Sequence, residues 1–170
     1  MSEIHVHGKA GRLKIGENSY RCVVGASGVV DATAKKEGDG ATPAGSYLFR
    51  KVHYRPDRLD TPATGLPVHA MAKDDGWSDD SNDPDNYNRL VKLPYPGSHE
   101  ELWREDHVYD IVVEIGYNDD PPILGKGSAI FMHLVREAYT PTAGCVALSQ
   151  PDLLEVLGQT NPGTKIIIYT

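Results

Sequence analysis

Short stretches of alternating apolar and polar residues recur along this chain, and such alternation is typical of β-strands with one buried face. The pattern predicts two short strands around a glycine-containing turn in residues 3–16. A third strand near residues 19–24 places Cys22 and Val24 on one face. A further strand over about Ser46–Val52 follows a cluster of turn residues. The first third of the chain is therefore predicted to be β-structure.

Two more strands are predicted in the second half of the chain, in residues 107–118 and 127–135. In the second of them, Ala129, Phe131 and His133 share one face, and the residues between them share the other. His133 is therefore expected at the end of a strand.

Residues 149–158 carry the signals of a short amphipathic helix. Ser149 and Asp152 match a capping box, and Pro151 suits a first helical turn. Three leucines form an apolar stripe before Gly158, where we expect the helix to end. A turn and one more predicted strand follow.

Residues 55–100 lack a clear period and are dense in Asp, Asn and Pro. A loop of this length in a compact domain is more often functional than idle, so the segment is predicted to be a long ordered insertion or a lid. Residues 1–170 contain no internal repeat and are predicted to form a single, mainly β domain with minor helix.

Composition and charge narrow the range of partners. The net charge of −7 argues against broad binding to nucleic acid or to anionic membranes. No apolar run approaches the roughly 20 residues of a membrane span. The N-terminus lacks the pattern of a secretory signal, and two cysteines form no disulfide framework, so a cytoplasmic location is expected.

Cys145 and His133 are the candidate catalytic residues. Gly144 directly before Cys145 leaves room for a substrate carbonyl and for a sharp turn, and backbone N–H groups at such a turn can form an oxyanion hole. A free thiol needs a partner to raise its thiolate fraction at neutral pH, and an imidazole twelve positions earlier can supply one. The alternative is a buried small hydrophobe, the usual state of a free cysteine and the one expected for Cys22.

Two motifs favour a catalytic role for Cys145 over a purely structural one. The segment TAGCVAL follows the His133 strand, and the upstream GDGATPAGSY contains Thr42, Pro43, Gly45 and Tyr47. Together they resemble the L,D-transpeptidase catalytic domain, or YkuD domain, with its T-P-x-G-x-[FY] element and its His followed by [ST]-H-G-C-[IV]-R. The resemblance spans roughly residues 20–168.

The resemblance implies a fold, an activity and roles for residues. The fold would be a β-sandwich or partly open barrel with one or two short helices and a long loop insertion. Cys145 would be the nucleophile, His133 the base, and the backbone near Gly144 the oxyanion site, with no metal or organic cofactor. The partners would be peptidoglycan stem peptides (muropeptides), and the activity L,D-carboxypeptidase or L,D-transpeptidase. A catalytically inactive domain that binds wall peptides is a third possibility.

The chain departs from the family pattern at two positions beside Cys145. Ala143 replaces the family's histidine and Ala147 its arginine, and the interval from His133 to Cys145 is shorter than in most members. With the expected location, these changes favour hydrolysis of a terminal D-Ala over cross-linking. They also require another cation for the substrate carboxylate. Candidate substrate-binding residues, chosen by residue type, are Arg136, Arg89, Arg104, Asn118, Trp77 and His99.

His5 and His7 lie on one face of a predicted strand and could ligate a metal, but no third ligand is evident nearby in the sequence. We therefore interpret them as part of a solvated edge strand, and no metal site is predicted.

Overall fold

The computed structural model describes residues 2–170, and within them fourteen β-strands, one α-helix and one 3₁₀ turn form the fold. The first seven strands are β1 (Glu3–His7), β2 (Arg12–Ile15), β3 (Asn18–Arg21), β4 (Val29–Val30), β5 (Thr42–Pro43), β6 (Gly45–Tyr54) and β7 (Val68–Ala70). The insertion continues with β8 (Asp75–Ser78), β9 (Leu90–Lys92) and β10 (His99–Glu101). The last elements are β11 (Ile111–Ile115), β12 (Phe131–Leu134), the 3₁₀ turn (Glu137–Tyr139), β13 (Val146–Leu148), α1 (Gln150–Leu157) and β14 (Lys165–Tyr169).

Nine strands form one sheet that nearly closes on itself. Its order is β13-β12-β11-β6-β14-β1-β2-β3, and β7 adds to β6. Just after β3 the chain meets the other end of the sheet, where Val23 and Ala147 form an antiparallel bridge. The mainly β, partly open barrel expected from the sequence is therefore confirmed.

Alternation along the strands separates two apolar clusters, as the sequence pattern predicts. Ile130, Met132 and Leu134 pack into the large core together with Cys22 and Val24. The alternate residues Ala129 and Phe131 belong to a second cluster, which also contains Cys145. The candidate nucleophile thus lies on the face of the sheet opposite the main core.

The insertion is ordered, as predicted, but it also contains regular β-strands, which were not predicted. It contains β7, and its strands β8, β9 and β10 form a separate three-stranded sheet. Strands of three or four residues are too short to show a period, which explains why the sequence did not reveal them. Trp77 of this segment and Leu102, two residues after it, pack against Val112 and Phe131 of the main sheet, so the insertion covers the face on which Cys145 lies.

The single helix begins as predicted. The Ser149 hydroxyl accepts a hydrogen bond from the Asp152 N–H at 3.4 Å, and the helix ends at Gly158. Leu153, Val156 and Leu157 are its buried residues and pack into the main core. No helix within residues 2–170 has the length and apolar character that crossing a bilayer requires.

The interpretation of His5 and His7 as part of an edge strand was wrong. Strand β1 is internal: it pairs in parallel with β14 and antiparallel with β2. His5 and His7 stack on the ring of Tyr169, at centroid distances of 5.9 and 4.7 Å. Across residues 2–170, no group of three His, Cys, Asp or Glu side chains is arranged to hold a metal ion.

Candidate active site

Cys145 and His133 approach each other because their strands are neighbours. Strands β12 and β13 pair in parallel, with Met132 opposite Val146 and His133 opposite Ala147. Cys145 directly precedes β13, so it lies two residues, or about 7 Å along the strand direction, from the level of His133. This even spacing places both side chains on one face, and both line a cavity of about 370 Å³.

The turn that presents Cys145 requires glycine at position 144. Gly144 has a φ of 146°, and a Cβ there would lie only 2.8 Å from the carbonyl oxygen of Ala41. The Thr42 hydroxyl donates a 2.7 Å hydrogen bond to the Gly144 carbonyl and accepts a 2.9 Å bond from the Gly25 N–H. The threonine of the upstream motif therefore holds the turn that carries Cys145, although a hundred residues separate them in sequence.

The second half of the same motif has a local structural role. Gly45 has a φ of 142°, and a Cβ there would lie 2.6 Å from the Tyr47 hydroxyl oxygen. That hydroxyl donates to the carbonyl of Ala44 at 2.6 Å. Gly45 and Tyr47 thus shape the start of β6, whereas Thr42 acts on the candidate site.

The Cys145 side chain is buried and held by backbone groups. Its thiol donates to the Ala129 carbonyl at 3.2 Å, and its sulfur accepts from the Phe131 N–H at 3.4 Å. Burial raises the pKa of Cys145 to about 12, and the nearby carboxylate of Glu100 acts in the same direction. The resting group is therefore a neutral thiol.

The backbone holds His133 in one tautomer. Its Nδ1 lies 2.8 Å from the Leu134 carbonyl, and because a carbonyl only accepts, Nδ1 carries the proton. Nε2 makes no hydrogen bond to any residue in 2–170, which leaves its lone pair free for a proton. Burial lowers the pKa of His133 to about 4, so the imidazole is neutral at pH 7.

The resting pair shows no thiolate, although the sequence led us to expect that the imidazole would raise the thiolate fraction of Cys145. Within residues 2–170 no hydrogen bond joins the Cys145 thiol to the His133 ring, and both groups are neutral. The physical reason is burial, which disfavours each charged form by itself. Ionisation of the thiol therefore requires a change in these surroundings.

One wall of the cavity is acidic, which sequence reasoning missed. Glu100 on β10 lines the cavity with Cys145 and His133, and its carboxylate accepts a 2.7 Å hydrogen bond from the Tyr109 hydroxyl. The Tyr109 ring packs edge-on against the His133 ring, with centroids 5.3 Å apart. The available signal was the alternation at residues 99–101, which turns Glu100 and Glu101 to opposite faces.

The six candidate substrate-binding residues divide into three groups. Arg136 and Arg104 line the cavity of Cys145. Arg89 and Trp77 line a second cavity of about 240 Å³, and the Trp77 indole N–H donates to Asn88 at 3.0 Å. His99 and Asn118 line neither cavity.

The last two residues are engaged in local hydrogen bonds. Asn118 has a φ of 51°, and its amide bonds to backbone groups of Ile123 and Gly127. His99 Nδ1 bonds to the carbonyl of Gly97. Neither Asn118 nor His99 lines the Cys145 cavity. The geometry therefore gives no support to their predicted role in substrate binding.

The two positions that depart from the family motif have different environments. Ala143 is exposed at the cavity, where its small side chain leaves space beside Cys145. Ala147 is fully buried and lies between His133 on β12 and Val23. Ala147 also lines the cavity, so an arginine at position 147 would extend into the space beside Cys145.

Comparison with known families identifies the family of this domain. The model of the L,D-transpeptidase catalytic domain family, YkuD, matches residues 4–168. The chain belongs to this family. The match covers both the Thr42 element and the Cys145 turn. No curated protein matches the chain.

Solved structures of similar fold are distant in sequence. The structure of Bdellovibrio bacteriovorus Bd1075 is 15% identical with a TM-score of 0.50, and the match covers 99% of this chain and 47% of that one. The structure of Mycobacterium tuberculosis L,D-transpeptidase 1 is 12% identical with a TM-score of 0.43, covering 99% and 59%. The chain thus spans about half the length of these two proteins.

Proposed function

We propose that this domain is a cysteine-dependent L,D-carboxypeptidase that removes the terminal D-Ala from peptidoglycan stem tetrapeptides. The observation that carries the proposal is the shared cavity of Cys145 and His133, which also contains Arg136 and Arg104. It therefore combines a nucleophile, a base and cations that suit a terminal carboxylate.

The reaction proceeds through a thioester. As the Cys145 sulfur attacks the carbonyl on the L-centred side of the bond, the thiol proton passes to Nε2 of His133. Collapse of the tetrahedral intermediate breaks the C–N bond, and His133 returns the proton to the amine of the leaving D-Ala. Water then attacks the thioester, His133 accepts its proton, and that proton restores the thiol as the tripeptide leaves.

Backbone amides stabilise the oxyanion. The Gly144 N–H already donates to the Thr142 hydroxyl at 3.1 Å. We therefore assign the oxyanion contact to the Cys145 N–H, which the turn at Gly144 presents beside the sulfur.

Arg136 is the better candidate for the terminal carboxylate. Arg104 is already bound by Asp106 through two hydrogen bonds, at 2.8 and 2.6 Å. Arg136 is exposed, and its contact with Asp106 is a 3.8 Å ion pair, so its guanidinium can turn to a ligand. Arg136→Ala should raise KM at least about tenfold with a smaller change in kcat, as expected for the loss of a charge-assisted contact. Arg12→Ala, an exposed site away from the cavity, is the matched control.

Transpeptidation is the second candidate, because the family model that matches residues 4–168 is that of a transpeptidase catalytic domain. The same thioester would then be attacked by an amine of a second stem peptide or of a D-amino acid. A third candidate, a domain that binds wall peptides without cleaving them, is favoured by one observation, the neutral resting state of Cys145 and His133.

One experiment separates these functions. Purified protein is mixed with disaccharide-tetrapeptide, with and without a D-amino acid or a second stem peptide, and the products are measured by mass spectrometry. Loss of one alanine supports the carboxypeptidase, whereas an exchanged or dimeric product supports the transpeptidase. Cys145→Ala should abolish either product, and Cys22→Ala, in the main core, should not. Binding without any product would refute the enzymatic proposals.

The cytoplasmic location expected from the sequence stays a prediction. Cell fractionation with an antibody against this domain would test it.

A further inference from the structure

We propose that a third concavity, beside strands β2 and β3, binds a phosphate group of a soluble ligand through Arg12, Arg21 and Lys9. The concavity has a volume of about 480 Å³ and contains neither Cys145 nor His133. The inference goes beyond the proposed reaction and does not depend on it.

The placement of Arg12 and Arg21 is the first observation. They are direct cross-strand partners in the β2–β3 hairpin, and both are exposed. On its other side, Arg12 is opposite His7 of β1. Cross-strand partners on one face have their Cβ atoms about 5 Å apart, and like charges placed so close are destabilising. Natural proteins keep such unfavourable local arrangements chiefly at functional sites.

The lack of counter-ions is the second observation. Lys9, Arg12 and Arg21 are exposed, and within residues 2–170 their side chains form neither an ion pair nor a hydrogen bond. Five of the six other arginines contact a carboxylate: Arg50 contacts Asp119, Arg55 contacts Asp57, Arg58 contacts Asp110, and both Arg104 and Arg136 contact Asp106. The arginines of the hairpin are therefore free to bind an anion from outside the chain.

The charge of the concavity is the third observation. Its charged lining residues are the three cations, and no carboxylate within residues 2–170 lines it. The Cys145 cavity, by contrast, contains three carboxylates. Four further lining residues are glycines, which leave room for a ligand: Gly8, Gly11, Gly25 and Gly28. In a chain with a net charge of −7, this concavity is complementary to an anion.

The number of cations favours phosphate over a single carboxylate. One carboxylate is satisfied by one guanidinium, which it binds through two parallel hydrogen bonds. A terminal phosphate carries about two negative charges near pH 7 and three strong acceptor oxygens, so it can bridge Arg12 and Arg21. Lys9 adds a third positive charge, which suits a diphosphate.

The lining favours a soluble ligand over a lipid headgroup. Surfaces that bind membranes usually add aliphatic or aromatic side chains that enter the interface. None of the large hydrophobic residues that are exposed within residues 2–170 lines this concavity.

Contacts with the segment before Cys145 orient one of the arginines. The Arg21 guanidinium lies 3.9 Å from the centre of the Tyr139 ring. Stacking of this kind holds the side chain without neutralising its charge. Because Arg21 is already oriented, less entropy is lost when a ligand binds. Pro141 lines both this concavity and the Cys145 cavity, so the bound ligand would lie next to the candidate active site.

The test is calorimetric titration of the whole protein with inorganic pyrophosphate at fixed ionic strength. We expect one binding site, with binding at least about tenfold weaker in Arg12→Gln and in Arg21→Gln, as for the loss of a charge-assisted hydrogen bond. Arg89→Gln is the matched control, because it removes the same charge from an exposed arginine outside the concavity. No binding by the parent protein, or an equal loss in Arg89→Gln, would overturn the inference.

Two further measurements identify the anion. Citrate carries a similar charge on carboxylates, so pyrophosphate that binds no more tightly than citrate would show a general attraction of anions and would refute a phosphate site. Cosedimentation with vesicles of phosphatidylglycerol tests a lipid headgroup. Binding to the vesicles without binding of pyrophosphate would overturn the assignment to a soluble ligand.

Thermal unfolding provides an independent readout. Saturating pyrophosphate should raise the Tm of the parent protein but not that of Arg12→Gln or Arg21→Gln, since a ligand stabilises only the protein that binds it. Without ligand, Arg12→Gln should have a Tm no lower than the parent, because the substitution removes the like charge opposite Arg21. A clear loss of stability in unliganded Arg12→Gln would contradict this repulsion.

These measurements require no cleavage, so their outcome is independent of the release of D-Ala. The disaccharide-tetrapeptide of the activity assay carries no phosphate group, so Arg12→Ala stays a valid control for Arg136→Ala.

Discussion

Replacement of Thr42 by valine tests whether the upstream motif acts on the nucleophile turn. Valine has nearly the same shape as threonine, so packing is kept, but it lacks the hydroxyl that contacts the Gly144 carbonyl and the Gly25 N–H. Both groups belong to buried residues, and each unsatisfied group costs about 1–3 kcal/mol, so the free energy of unfolding should fall by roughly 2–6 kcal/mol. Urea denaturation followed by fluorescence measures this change.

The control is Thr42→Ser, which keeps the hydroxyl and loses one buried methyl group, at a cost of about 1 kcal/mol. Because the Gly144 carbonyl sets the position of Cys145, Thr42→Val should also lower kcat for release of D-Ala by more than Thr42→Ser does. Equal stability and activity of the two variants would refute the argument that this hydroxyl holds the turn.

Three further predictions concern the residues around the thiol. Gly144→Ala places a Cβ 2.8 Å from the Ala41 carbonyl at a φ of 146°, so its melting temperature should fall clearly in a thermal scan, and an unchanged value would contradict the geometry. His133 must be neutral to accept a proton; since burial lowers its pKa to about 4, kcat/KM should hold from pH 7 to pH 5 and fall near pH 4. Burial also raises the pKa of Glu100, so protonation of Glu100 could cause a similar fall in activity. The pH profile is therefore measured for Glu100→Gln as well. A fall in kcat/KM near pH 6.5 in both proteins would refute the low pKa of His133. Ala147→Arg, which introduces the family residue on the cavity wall, should lower kcat/KM for release of D-Ala severalfold, because its side chain must extend into the cavity that holds Cys145 and His133; an unchanged kcat/KM would contradict this placement.

Much of the fold follows from local sequence signals. The alternation that separates Ile130, Met132 and Leu134 from Phe131 appears in the structure as two apolar clusters. The cap at Ser149 predicts the start of α1, because capping depends on residues within one helical turn. The short strands of the insertion gave no such signal, since three residues cannot define a period.

The resemblance to a known family identified Cys145 and His133 as candidate site residues from the sequence. It did not predict that the Cys145 thiol would be neutral. Proximity of an imidazole suggests a thiolate, whereas burial of Cys145 and His133 keeps both groups neutral. Burial depends on what packs over a residue, here the insertion that supplies Trp77 and Glu100. That information is spread over distant parts of the chain.

The sequence by itself determined the alternating strands of the main sheet, the single helix, the Gly144–Cys145 turn and the two motifs, because each depends on neighbours within a few residues. Only the tertiary structure decided how these parts act on one another. The pairing of β12 with β13 sets the approach of His133 to Cys145, and the Thr42 hydroxyl reaches the Gly144 carbonyl across a hundred residues. Folding of β10 over the sheet places the Glu100 carboxylate in the same cavity. Electrostatics and burial act through space, so the ionisation of the site depends on contacts that no local pattern records.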